Sequence, residues 1–423
     1  MANAILSPKV YANAFVHLLT NELVIAKKVS NEFKDEFKKV GTTVYAKRVP
    51  EFTVRDGAVA SVQDVVEGEV AVTIDKQKGI DVEFTSVEDT LSVDALLKSR
   101  VMKSAAAQLA QQIETDVAAK VLEFHNQVGT PGTTGPGTIV DSYTDFLLAP
   151  QRLDEGGVPG DGRFALLNPR DAYSLIGSIA SYTGTPAEAK DALTRARLPN
   201  LGGIEAYTSN SLPSFTCGTR SGNALVDGAN QNVTYASVKD GAWTQTLAID
   251  NVGNGETVVA GEVFTIAGVY AVNPRTKDTL SYLQQFVVIT GGTSVATGTA
   301  NNQDLSLTIS PPIISSGAFQ NVSATPADNA AIQWMGSDTE TDTLSKIYRP
   351  NVVMHRNAIT LVSAKLTMPF TGEASYTTDP DTGISVRYWR SSDSTNDTHM
   401  HRFDVLYGVK AVDKRLGTRL FGT

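Results

Sequence analysis

The chain has 423 residues, 41% of them hydrophobic, enough for two to four cores at roughly 100–200 residues per domain. His17, Asn21 and Glu22 interrupt the first apolar stretch, so neither a signal peptide nor a membrane span is expected there, and the single cysteine, Cys217, excludes an internal disulfide. The net charge of −9 is segregated: residues 1–50 hold 8 Lys/Arg against 4 Asp/Glu, residues 51–95 hold 3 against 11, and residues 349–423 hold 10 against 7.

Ser7-Pro8 places an N-cap before a helix-starting proline, and Tyr11, Phe15, Leu18 and Leu19 then recur at helical spacing. In the acidic stretch that follows, Val70, Val72 and Ile74 alternate with Ala71, Thr73 and Asp75, while Gly57, Gly68 and Gly79 punctuate it. Alternation with outward acids predicts antiparallel strands or a long hairpin with one wet face. If this arm projects, its apolar face needs another molecule.

The sequence "SVDALLKSRVMKSAAAQLAQQIETDVAAKVLEFHN", residues 92–126, predicts a helix capped by Ser92 and roughly 45–50 Å long. Leu97, Val101, Ala105, Leu109, Ile113, Val117 and Val121 form its stripe, and "GTPGTTGPGT" ends it. Residues 139–220 read as mixed α/β: "RFALLN" is a short buried strand, Asn168-Pro169 starts a helix, and "TPAEAKDALTRAR" opens in capping-box order. From residue 221 the texture turns to Thr, Val, Gly and Asn, which predicts an all-β domain with a local excess of 11 acids over 4 bases through residue 348. In it, "GEVFTIAGVYAVNPRTKDTLSYLQQFVV", residues 261–288, predicts a strand, a turn at Asn273-Pro274 and a second strand. The last stretch returns to alternating strands.

No phosphate loop, G-x-S-x-G or H-E-x-x-H pattern is present, so no catalytic residue and no cofactor is expected. His399 and His401 share a strand face at a spacing a metal would use, but no third ligand accompanies them, and no metal is expected. "DPDTG" at 379–383 lacks the remaining acids of a calcium loop and reads as a turn. Cys217 is expected as a small buried thiol. The basic stretches of both ends carry acids too and match no pattern for reading base sequence.

The segments "FTVRDGA", "IDKQKGIDVEFT", "VFTIAGVYAVNP", "LTISPPII", "PADNAAI" and "MHRNAITLV", in this order over most of the chain, resemble the major capsid proteins of tailed double-stranded DNA bacteriophages. The resemblance is to the branch of the Hong Kong 97-like fold, found in short-tailed enterobacterial phages, that carries an inserted β-barrel domain. It implies an α+β fold with an N-terminal arm (1–50), an extended β-hairpin arm (51–91), a spine helix and α/β body (92–220), the inserted barrel (221–348) and C-terminal strands completing the body (349–423). It implies a shell of pentamers and hexamers of the chain itself, formed with a scaffolding protein as a procapsid that later expands. A portal protein and packaged double-stranded DNA, bound without sequence specificity, are the further expected partners, no membrane is involved, and assembly takes place in the host bacterial cytoplasm. Charge pairing across subunits points to Arg55, Asp56, Asp64, Glu67 and Glu69 of the arm as contact residues, and the resemblance, which implies that loops of the inserted barrel touch neighbouring subunits, adds Asp338 and Glu340. The alternatives are a cellular nanocompartment shell of the same fold and an unrecognised β-rich hydrolase or lyase.

Overall fold

In a computed structural model, residues 8–31, 43–48, 50–55, 57–60, 62–85, 100–130, 138–181, 198, 200–241, 243–296, 303–335 and 347–422 are described. The chain divides into two units, the smaller formed by Met1–Val44, Val72–Ala118 and Ile359–Lys410 and the larger by Tyr45–Ala71, Ala119–Ala358 and Ala411–Thr423.

The smaller unit is built on the strands Ile359–Ala364, Thr398–Ala411, Ser385–Asp393 and Glu373–Thr378, in that spatial order. Helix α1, Pro8–Glu22, begins at the proline and lays its apolar stripe on this sheet. Tyr11 stacks on Tyr388 at 5.4 Å and Phe15 on Phe403 at 4.1 Å, with Leu19 buried behind them. Of the expected stripe only Leu18 is partly exposed. The cap expected at Ser7 lies outside the described residues.

Helix α2 runs from Arg100 to Ala118 and tightens into a 3₁₀ turn, Ala119–Glu123. The expected spine therefore stops short of residue 126, and its 19 α-helical residues span ~28 Å. Ser92 and Leu97 lie outside the described residues. The helix ends where the chain must turn into the strand Asn126–Val128, with Phe124 buried against Gly417. The buried face is Met102, Ala105, Ala106, Leu109, Ala110, Ile113, Glu114, Val117 and Ala118, and Val101 is exposed. A strict four-residue repeat outruns the 3.6-residue turn by about 40° per step, so the expected stripe leaves the packed face at Val101.

Glu114 has no place in an apolar stripe, yet it is 3% exposed. Its carboxylate accepts the backbone N–H groups of Val24, Ile25 and Ala26 at 3.1, 2.9 and 2.9 Å. The turn after α1 is thereby fastened to α2. Burial pushes the Glu114 carboxyl above its ordinary value, with the three amides opposing.

The larger unit holds a five-stranded sheet in the order Asn126–Val128, Gly417–Leu420, Asn351–His355, Arg163–Leu167, Glu205–Thr208. Its outer pairs are parallel and its inner pairs antiparallel. Helices α3, Tyr143–Glu155, and α4, Pro169–Ser181, accompany it, and Phe146, Leu153, Leu167, Leu175, Val353 and Leu420 share one core. Ser142 caps α3 by accepting the Asp145 N–H at 3.0 Å, and Asn168 caps α4 by accepting that of Asp171 at 3.1 Å. The capping-box helix expected after Thr185 lies outside the described residues.

The all-β part is a closed strip. Antiparallel neighbours run Ile332–Trp334, Val263–Val272, Thr279–Thr290, Gln303–Ser310, Gln245–Asp250, Leu225–Val226. The ends of the strip meet, because Val226 N–H donates to Ala330 and Ile332 N–H to Ala224, at 3.0 Å each. Closure removes the open edges at which another chain would add a strand. Phe264, between Phe286 at 5.7 Å and Trp334 at 5.1 Å, sits in its core. The expected turn at Asn273-Pro274 is present, with the Asn273 side-chain oxygen accepting the N–H groups of Arg275 and Thr276.

Candidate inter-subunit surfaces

Of the two expected arrangements, antiparallel strands or one long hairpin, the acidic stretch shows the first. Glu69–Thr73 pairs with Thr43–Lys47, while Lys76–Thr85 runs antiparallel along Thr398–Ala411, from Thr398 opposite Thr85 to Tyr407 opposite Lys76. The first of these pairings thus begins at Thr43. Alternation was the correct sign of strand, but it carries no information about which strand is the neighbour.

The root of the arm is tied down within the larger unit. Ala46 and Val70 are buried, and the Gly241 N–H donates to Glu69 O at 2.9 Å. Gly68 lies so close to the Lys239 carbonyl that a Cβ would stand 2.3 Å from its oxygen, which reserves the position for glycine. Arg48 lies over the Trp243 ring at 4.7 Å and donates to Gly241 O at 3.2 Å. Glu51 is clamped by Arg415 at 2.7 Å and Lys277 at 3.4 Å.

Beyond Glu51 the loop turns outward. Phe52, Val54, Val59, Val62 and Val65 are 53%, 94%, 86%, 92% and 60% exposed. Polar side chains hold the loop in shape while its apolar ones face solvent. Gln63 accepts from Thr53 N and Oγ1 at 2.9 and 3.0 Å and donates back to Thr53 O at 2.6 Å, so its amide stands in for a paired strand. Arg55 donates to Gly57 O and, at 2.8 Å, to Val59 O.

Of the sequence-derived contact residues, Arg55, Asp64, Glu67 and Glu69 are exposed on this arm, and Asp56, Asp338 and Glu340 lie outside the described residues. Arg55 spends its guanidinium on its own loop. Glu67 pairs within the chain with Lys47 at 2.8 Å and, through that hydrogen bond, raises the Lys47 ammonium. Both partners are largely exposed, so the pair is weak. Sequence reasoning weighed the acids of the arm and missed its valines. The run "VRDGAVASVQDVV" places them with no helical or alternating period, which is the mark of a loop whose apolar groups have no core.

The smaller unit has an apolar tip of its own. Phe370 is fully exposed and Met368 41% exposed. Arg387 donates to Thr367 O at 2.7 Å and Trp389 to Thr371 O at 2.9 Å, so both ends of the tip are fixed.

The other candidates resolve into structure. Nδ1 of His401 pairs with the Tyr388 hydroxyl at 2.7 Å and Nδ1 of His399 with the Ser392 hydroxyl at 2.8 Å. Asp379 accepts from Thr382 N and Oγ1 at 2.9 and 2.6 Å, which makes "DPDTG" a side-chain-stapled turn. Cys217 is buried beside Tyr348 and Phe421. Among the described residues no cluster of His, Cys, Asp or Glu is arranged to hold a metal, and no helix is long and apolar enough to cross a membrane.

An arm with a shaped apolar tip, an α/β body and a closed barrel define a chain whose surface calls for a further molecule. A family model described as P22 coat protein, gene protein 5, matches residues 6–422. The major capsid protein of Acyrthosiphon pisum secondary endosymbiont phage 1 is 22% identical over 347 residues, 81% of this chain and 78% of that one. Among solved structures, one of Mycobacterium phage Che8 aligns over 94% of this chain and 90% of its own at 15% identity and a TM-score of 0.48. The CUS-3 coat protein I-domain aligns over 28% of this chain and 98% of its own at 29% identity and a TM-score of 0.20. The chain belongs to the P22 coat protein family: it is a phage major capsid protein with an α+β fold, which assembles with copies of itself into the virion shell.

Proposed function

We propose that the arm tip, residues 52–65, is the surface by which one copy grips the next in the shell. The observation that carries this reading is the exposure of Phe52, Val54, Val59, Val62 and Val65 on a loop already held rigid by Gln63 and Arg55. Large apolar groups presented together on a stiff loop mark an interaction site, and the ordering entropy has been met before the partner arrives. Asp64, Glu67 and Glu69, with Arg55, Asp56, Asp338 and Glu340, set register and exclude wrong partners, while burial of the valines supplies the energy. Each such contact is weak by design. At about −4 kcal/mol, a millimolar dissociation constant, misplaced copies leave, and many contacts together hold the lattice.

Pentamers and hexamers, a scaffolding protein, a portal protein, packaged double-stranded DNA and assembly in the host cytoplasm complete the proposal, as does a procapsid that expands by rotation of its parts. The division 1–50, 51–91, 92–220, 221–348 and 349–423 is proposed for the assembly roles of arm, hairpin, body, barrel and closing strands. No catalytic step is proposed.

The test is protection. A Val59→Cys chain, with Cys217→Ser to remove the native thiol, is expected to react fully with a maleimide as a monomer and to be shielded in shells. Equal labelling in both states refutes the contact.

A further inference from the structure

A cavity of about 70 Å³ lies within the larger unit, where the barrel, α3, the strand Asn126–Val128, the C-terminal segment and the root of the arm meet. A single water needs roughly 10–15 Å³, so a small polyatomic group fits. Its walls mix apolar and polar groups, and two of the polar ones are well buried: His125 is 4% exposed and Trp243 7%. Trp243 Nε1, Arg152 Nη1 and His125 Nδ1 are shielded from solvent and find no hydrogen-bond partner among the described residues. Burial holds the His125 imidazolium down to about 3, so at neutral pH this side chain is an uncharged imidazole. Arg152 has the Tyr282 ring for company, 3.5 Å from its guanidinium carbon. Glu51 adds a carboxylate to the wall, but Arg415 holds one oxygen at 2.7 Å and Lys277 lies 3.4 Å from the other. Glu51 and Asp413 hold Arg415 from two sides, at 2.7 and 2.9 Å, so its charge is matched and Arg152 is the cation the lining offers.

Buried donors left without acceptors are costly, and both an indole and a guanidinium can only donate. We propose that this cavity binds a small oxyanion of the size of inorganic phosphate, which accepts hydrogen bonds from Arg152 Nη1–H and Trp243 Nε1–H, with His125 Nδ1 as the third nitrogen at the wall. The anion joins a barrel residue to a residue of α3, so its binding braces the inserted domain against the α/β sheet that α3 accompanies. Stability of the chain then rises with phosphate concentration by mass action.

Inorganic phosphate titrated calorimetrically into the full-length monomer, in chloride of matched ionic strength, is expected to give saturable one-to-one binding. Trp243→Phe keeps a ring beside Tyr235 and Phe319 and removes only the N–H; it is expected to weaken phosphate binding about tenfold, the loss of roughly one hydrogen bond. Arg152→Gln is expected to abolish it. Should that variant fail to fold, the comparison of wild type with Trp243→Phe decides. The proposal is overturned by the absence of saturable heat in the wild type, by an equal rise in Tm with phosphate in wild type and Trp243→Phe, or by a high-resolution map of shells in phosphate that shows ordered water only in the cavity.

Discussion

Glu114 shows how one side chain sets the path of a terminus. Three amide N–H groups converge on a carboxylate that desolvation has already raised above its ordinary value. A carboxyl with a raised folded-state pKa binds protons more tightly folded than unfolded. Its contribution is full below the ordinary carboxylate value and is lost as pH rises through the folded value. Glu114→Gln, with one acceptor oxygen for three donors, is expected to cost about 1–3 kcal/mol at neutral pH. It should also flatten the loss of stability that the wild type shows as pH rises across that window. Urea melts of the monomer over a pH series measure both; an unchanged slope in the variant refutes the assignment to Glu114.

At the scale of elements, the closed barrel is the part whose stability is most local. Phe264 fills its centre, and Phe264→Ala is expected to cost about 3–5 kcal/mol through lost burial and the cavity left behind, read from the denaturant midpoint of the full chain. A cost below about 1 kcal/mol would place that ring outside the load of the core. The strands on either side of Asn273-Pro274 were readable because strand, turn and strand are contiguous and the turn residue supplies its own hydrogen bonds. Helix α1 was readable because Pro8 fixes its start and Tyr11 and Phe15 its face. The arm was readable as strand but not as pairing, since the partner of Lys76–Thr85 begins at Thr398 and no local pattern carries that distance. Helix α3 was hidden by Pro150, which breaks the helical pattern on paper. Glu114 and Glu51 were invisible for a shared reason: each polar residue takes its position from groups far away in sequence, and only the fold brings those groups together.

At the scale of the whole molecule, charge segregation and apolar exposure describe different parts of one act. Under the proposed contact, attraction between the basic ends and the acidic arm of separate copies would steer approach and weaken with salt, whereas burial of the arm-tip valines would hold the copies once water has left. The most direct measurement is sedimentation of the purified chain carrying Val54→Asp and Val62→Asp, two positions 94% and 92% exposed where a charge costs the monomer almost nothing. The account predicts a monomer that melts like the wild type and forms no shells under conditions in which the wild type does. Shells of wild-type size and yield from that variant would contradict it.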